Sequence, residues 1–126
     1  MPDLAFRLPA VSDSIPLARG EVDRLAGEVD EEQLEVLRLL VSEMVSNSIR
    51  HAEGSRSVEV RVRLGRRSIR LEVEDRGPGF RPARAAPSAS GGWGLVIVDR
   101  LARRWGVRSG PKTTVWLELD RYAKTA

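Results

Sequence analysis

Apolar and polar residues alternate at the start of the chain, with Leu4, Phe6 and Leu8 on one side, which predicts a short strand over Leu4–Pro9. Ser12, Asp13 and Ser14 offer helix N-caps, and Pro16 suits a first turn. A helix is predicted from there to about Val29, with Leu17, Val22, Leu25 and Ala26 turned inward, although Gly20 and Gly27 weaken it. The strongest period follows. Leu34, Leu37, Leu40, Val41, Met44, Val45, Ser48 and Ile49 recur at helical spacing, with Asp30, Glu31 and Glu32 at the positive end of the helix dipole. Gly54 is a stop signal, so this helix is predicted over about 31–52.

Two strictly alternating runs come next. Val58, Val60, Val62 and Leu64, then Ile69, Leu71 and Val73, predict strands over Ser57–Leu64 and Ser68–Asp75, joined at Gly65-Arg66-Arg67 as a hairpin. Each keeps one apolar and one charged face, as in an antiparallel sheet covered on one side. Asp75-Arg76-Gly77-Pro78-Gly79-Phe80 is a tight turn. Residues 81–92 are rich in Ala, Pro, Ser and Gly without a period, which predicts a mobile loop. Helical spacing returns over Gly94–Arg104, with Leu95, Val98, Leu101 and Ala102 inward. Trp105–Ser109 and Lys112–Leu119 predict a last hairpin around Gly110-Pro111, and Arg121–Ala126 a frayed tail. This order predicts a two-layer α/β (α+β) sandwich: a mostly antiparallel, mixed sheet covered on one face by helices.

The 126 residues suit a single domain over 1–126. With 41% hydrophobic and 31% charged residues, the composition is that of a globular protein rather than a disordered one. The chain has no cysteine, which excludes disulfides, thiolate catalysis and cysteine-held zinc or iron–sulfur sites. Its one histidine, His51, makes a histidine-ligated metal pair impossible. No apolar run approaches membrane-span length and the N-terminus lacks a secretory pattern, so the cytoplasm is the expected compartment. The net charge of +3 hides an asymmetry. Residues 1–53 carry five arginines against eleven acids, and residues 54–126 carry sixteen basic residues against seven acids. The arginine stripes of the second half are compatible with nucleic-acid binding, but on alternating strands they more simply line a solvated face. Few aromatics are available to stack bases, and a steep salt dependence of DNA binding would separate the two readings.

Three places hold polar residues that the fold alone does not require. Glu43, Asn47 and His51 lie four apart on the long helix, so they share a face, each about 6 Å further along the axis. A carboxylate and a carboxamide there suit a hydrated magnesium ion and a reacting hydroxyl, and a solvated helix face is the ordinary alternative. Asp75 ends a strand and is followed by Gly77 and Gly79: an acid able to accept from a ligand amino group, with glycines that permit close backbone approach. An ordinary Asp–Gly turn has the same composition. Gly91-Gly92-Trp93-Gly94-Leu95 opens a helix, where free N–H groups make an anion site. It is neither a dinucleotide fingerprint nor a Walker loop. Together the three describe a nucleotide pocket.

Ser42-Glu43-Met44-Val45-Ser46-Asn47-Ser48-Ile49-Arg50-His51-Ala52 resembles the N box of the GHKL ATPases, the superfamily of gyrase, Hsp90, histidine-kinase catalytic domains and MutL. Asp75-Arg76-Gly77-Pro78-Gly79-Phe80 resembles its Asp-x-Gly-x-Gly box, and Gly92-Trp93-Gly94-Leu95-Val96-Ile97-Val98 its second glycine box. Lys112-Thr113-Thr114-Val115-Trp116 resembles the final strand with its adenine-site threonine, Thr114 being the better match. Met44 and Ser48 stand where Leu and Ala are usual. The boxes keep the family order over residues 42–116, and the resemblance implies the Bergerat ATP-binding fold with an ATP lid at about 81–92.

The single histidine lies in the N box, so no phospho-accepting histidine helix pair is expected, and no transducer domain. The short lid and the Arg104-Trp105-Gly106-Val107 run resemble the bacterial anti-sigma factor serine/threonine kinases. That resemblance implies ATP and magnesium as cofactors. It also implies a sigma factor and a STAS-type anti-sigma antagonist as partners, the latter phosphorylated on serine or threonine in a partner switch. Related kinases are often dimers. Carried over, Glu43 acts on the acceptor hydroxyl, Asn47 ligates magnesium, and Asp75 accepts from the adenine amino group with support from Thr114. Gly77 and Gly79 pass the base, and Gly92 and Gly94 present N–H groups to phosphate. His51 and Leu95 join the nucleotide-contacting set, with either Arg81 or Arg84 on the lid, and Lys112, as candidate further phosphate contacts. The alternative is a nucleotide-gated regulatory binding module without protein kinase activity.

Overall fold

The computed structural model describes residues 3–51, 56–75 and 93–121, with His51 and residues 93–95 described as helix backbone only. Strand β1 (Leu4–Pro9) leads into helix α1 (Ser14–Val22) and a 3-10 turn (Asp23–Leu25). Helix α2 (Glu31–His51) follows, then strands β2 (Ser57–Leu64) and β3 (Ser68–Asp75), helix α3 (Trp93–Leu101), and strands β4 (Arg104–Arg108) and β5 (Thr113–Asp120). The strands form one sheet in the order β1-β2-β3-β5-β4. Every pairing in it is antiparallel, so the expected mixed sheet is corrected to a fully antiparallel one among the described residues.

Strand alternation builds the core row by row. Phe6, Val60, Val73, Val115 and Val107 lie side by side across all five strands, and Leu4, Val62, Leu71, Leu117 and Trp105 form the next row. The helices cover this face, with Leu34, Leu37, Leu40, Val41, Met44 and Val45 of α2 buried against it. Each such side chain contributes roughly 1.5–3 kcal/mol of transfer free energy. Asp30 caps α2, accepting from the Gln33 N–H at 2.7 Å. The opposite sheet face is charged.

Several expectations need correction. Helix α1 stops at Val22, and its buried stripe is Ser14, Ala18 and Val22. Leu17, 57% exposed, and Ala26 point outward. Small residues at Ser14 and Ala18 let α1 lie close on α2, and that packing rather than Leu17 sets the helix phase. Asp13 stands at the N-cap without a side-chain cap bond. The chain leaves the short 3-10 turn through Gly27, the one described residue at positive φ (92°). Helix α3 ends at Leu101, which is exposed, and Arg104 already belongs to β4. Arg121 is tied down rather than frayed. Its N–H donates to the Arg67 carbonyl, and its guanidinium donates to the carbonyls of Gly65 and Glu28. Gly54, residues 76–92 and the tail beyond Arg121 lie outside the described residues.

Candidate functional site

One row of the helix-covered sheet face changes character. It begins apolar with Leu8 and Val58 and continues as Asp75 and Thr113, at the end of β3 and the start of β5. Asp75 is 3% exposed and Thr113 fully buried. Above them lies the C-terminal half of α2, where Asn47 and Ser48 are also buried. The helix and the strand meet in a hydrogen bond: the Ser48 hydroxyl donates to Asp75 Oδ2 at 2.6 Å. Four polar side chains therefore occupy core positions at one end of the molecule.

Two of their atoms lack partners. Asn47 Oδ1 and Thr113 Oγ1 are buried without a hydrogen bond among the described residues. An unsatisfied buried polar atom costs about 1–3 kcal/mol, and such atoms are rare in native folds. Their presence beside a buried acid fits a site whose ligand supplies the missing contacts. Asn47 offers a neutral hard oxygen, the donor type that magnesium takes from a protein when phosphates and water complete its shell. The described residues hold no cluster of three or more acidic or histidine side chains able to cage a metal alone.

The remaining expected residues are distributed as follows. Glu43 is half-buried on α2, one turn before Asn47 and on the same face. Thr114 does not join Asp75. Strand alternation turns it to the opposite, charged face, opposite Glu74, while Thr113 stands opposite Asp75. Lys112 is exposed and pairs with Glu74 at 3.5 Å. His51 ends α2, and Gly94 and Leu95 lie in the first turn of α3, as helix backbone. Gly77, Gly79, Gly92, Arg81 and Arg84 lie outside the described residues. Ser48 and Thr113 join the site in the structure although neither is among the residues expected from the sequence. The signal for Thr113 was present, because Val115, Leu117 and Leu119 fix the inward phase of β5. Ser48 sat within the apolar period of α2, where a serine reads as tolerated core.

A hollow of ≈ 210 Å³ lies elsewhere, lined by Gln33, Val36, Leu101 and Leu119 among others, and contains none of these residues.

Residues 8–119 match the family model of the histidine kinase-like ATPase domain. No curated protein matches the chain. Among solved structures, the RsbU and RsbW domains of Rv1364c from Mycobacterium tuberculosis are similar at 20% identity and a TM-score of 0.66. That match covers 97% of this chain and 34% of the other, so this chain spans about a third of that protein's length. The Acinetobacter baumannii histidine kinase AdeS is similar at 16% identity and a TM-score of 0.59, over 94% of this chain and 68% of that one. The mycobacterial sensor histidine kinase MprB follows at 18% identity and a TM-score of 0.51, over 94% and 98%. At these identities the likeness to the three structures is one of fold.

Proposed function

The chain belongs to the histidine kinase-like ATPase family, and on that premise we propose that it is an ATP-dependent serine/threonine kinase acting as an anti-sigma regulator. One observation carries this reading. A buried acid, Asp75, ends β3 opposite Thr113 and bonded to Ser48, the neighbour of Asn47, and Thr113 Oγ1 and Asn47 Oδ1 are buried without a hydrogen bond among the described residues. The likeness to the RsbU and RsbW domains of Rv1364c, which extends over 97% of this chain, supports the regulatory class.

In this reading Asp75 accepts from the adenine amino group. Thr113, not Thr114, supports it, because only Thr113 shares its face. Gly77 and Gly79 pass the base, and the backbone of Gly94 and Leu95 in the first turn of α3, together with Gly92 just before the helix in sequence, receives the phosphates at a helix N-terminus. His51 borders the same pocket at the end of α2. Asn47 would hold magnesium, whose charge neutralises the phosphates when bound. Glu43, one turn earlier, takes the proton of an acceptor serine or threonine hydroxyl on a STAS-type antagonist. The hydroxyl oxygen bonds to the γ-phosphorus, the bond to the β-phosphate oxygen breaks, and ADP leaves. Such transfer needs mainly positioning and charge compensation. A sigma factor is the second partner, released when the antagonist is unphosphorylated.

Transfer of labelled γ-phosphate from Mg-ATP to a STAS antagonist domain tests the reading. Serine- or threonine-linked label on the antagonist is the expected result. Tight Mg-ATP binding with no transfer to any antagonist would favour the nucleotide-gated binding module instead.

A further inference from the structure

Ser48 stands where the related N boxes usually carry alanine, and its surroundings give it work. It is 1% exposed, follows Asn47 directly on α2, and donates its hydroxyl proton to Asp75 Oδ2 at 2.6 Å. Asp75 is the last residue of β3 and is itself 3% exposed. A carboxylate at a strand end can turn about its side-chain bonds. A short hydrogen bond from a helix removes that freedom, because Ser48 lies within α2 after the buried residues Met44, Val45 and Asn47, on a backbone packed into the core. A serine hydroxyl also keeps two lone pairs after donating its one proton.

We propose that Ser48 is a positioning residue for base recognition: through its bond to Asp75 it fixes the carboxylate in the orientation that selects the exocyclic amino group of adenine. Ser48 thus narrows the nucleotide preference of this site beyond what an alanine at the same position gives. The inference rests on the reading of Asp75 as the adenine acceptor.

The test compares ATP with purine riboside triphosphate, which lacks only that amino group. Titrations are run on the whole chain as wild type, Ser48→Ala, Ser48→Thr, Asp75→Asn, and the double variant Ser48→Ala with Asp75→Asn. Ser48→Ala should weaken ATP binding by about five- to thirtyfold, the range for losing a charge-assisted contact in a buried site. It should leave purine riboside triphosphate within about twofold, since the remaining contacts are untouched. Ser48→Thr keeps the hydroxyl and should restore most of the preference. In the double variant the effect of Ser48→Ala should vanish, because the two residues act as one unit.

Equal weakening of both nucleotides by Ser48→Ala would show loosened packing and overturn the proposal. So would an unchanged preference in Ser48→Ala while Asp75→Asn abolishes it, an outcome that leaves the reading of Asp75 standing. If Asp75→Asn itself leaves the preference intact, the adenine assignment fails and the role of Ser48 with it. Thermal unfolding of each variant without nucleotide checks that the fold persists.

Discussion

Thr113 and Thr114 are neighbours in sequence but belong to opposite faces of β5, and that difference has a measurable consequence. Thr113 buries a hydroxyl that has no hydrogen bond among the described residues, opposite Asp75, whereas Thr114, also buried, lies on the other face of the strand opposite Glu74. Thr113→Val keeps the shape and removes the unpaired atom. The empty protein should unfold at the same temperature or higher, while ATP affinity drops by about 0.5–1.5 kcal/mol, the worth of one hydrogen bond. Thr114→Val should leave ATP affinity unchanged. Calorimetric titration of both variants checks this, and a loss confined to Thr114→Val contradicts the assignment. The motif favours Thr114, whereas the phase of the strand puts Thr113 on the face of Asp75. Asn47, Asp75 and Glu43 were legible because acids and amides interrupt apolar runs, whereas Ser48 was not, since its role exists only where α2 meets β3.

At the scale of elements, long alternating or helical periods predicted β1, β2 and β3 to the residue and α2 to within one, because each has a continuous apolar stripe. The hydrophobic pattern over the short helix α1 predicts the wrong phase. Its buried positions include Ser14 and Ala18, too small to stand out in a hydrophobic pattern, and the prominent Leu17 is exposed. Ala18→Leu should therefore wedge α1 away from α2 and cost about 1–3 kcal/mol. Leu17→Ala should cost well under that. Urea unfolding of the two variants checks the order, and a larger loss for Leu17→Ala would mean that the inward face is misassigned. A parallel constraint holds β4 against β5, where a Cβ added at Gly106 would lie 3.0 Å from the Trp116 ring. The same ring lies 4.6 Å from the Arg70 guanidinium carbon.

The molecule as a whole presents two unlike surfaces: a helix-covered face ending in the polar site, and an open sheet face of arginine–glutamate pairs. On that open face Arg61 reaches Glu59, Glu72 and Glu74 at 2.9, 3.2 and 3.3 Å. The hydrogen bond from Arg7, aided by Arg61, holds Glu59 below its ordinary value of 4.5 despite partial burial. Burial pushes Glu72 up, but hydrogen bonds from Arg70 and Arg61 together outweigh it and leave that carboxyl lowered. Arg104, then Arg70, lower Glu118. These carboxyls release protons more readily in the folded chain than in the unfolded one. Their contribution is therefore complete above the ordinary value of 4.5 and is lost as pH falls through the lowered folded values. Urea midpoints should hold steady from neutral pH down to about pH 5 and then decline. Arg61→Gln should flatten that decline, and an identical profile in the variant would show that the pairs contribute nothing. The strict alternation of β2 and β3 predicts such a face but not its pairing, which depends on strand register.

The central claim is that α2 carries two separable jobs on one face, a binding one at Asn47 and a chemical one at Glu43. The most direct measurement sets Mg-ATP titration beside transfer of labelled phosphate to an antagonist domain, for wild type, Asn47→Ala and Glu43→Ala. Asn47→Ala should weaken Mg-ATP binding itself. Glu43→Ala should bind Mg-ATP nearly as well as wild type and slow transfer by about 10²- to 10⁴-fold, the usual loss for a general base, or roughly 3–5 kcal/mol of barrier. Transfer by Glu43→Ala at the wild-type rate, or Mg-ATP binding unchanged in Asn47→Ala, would contradict it.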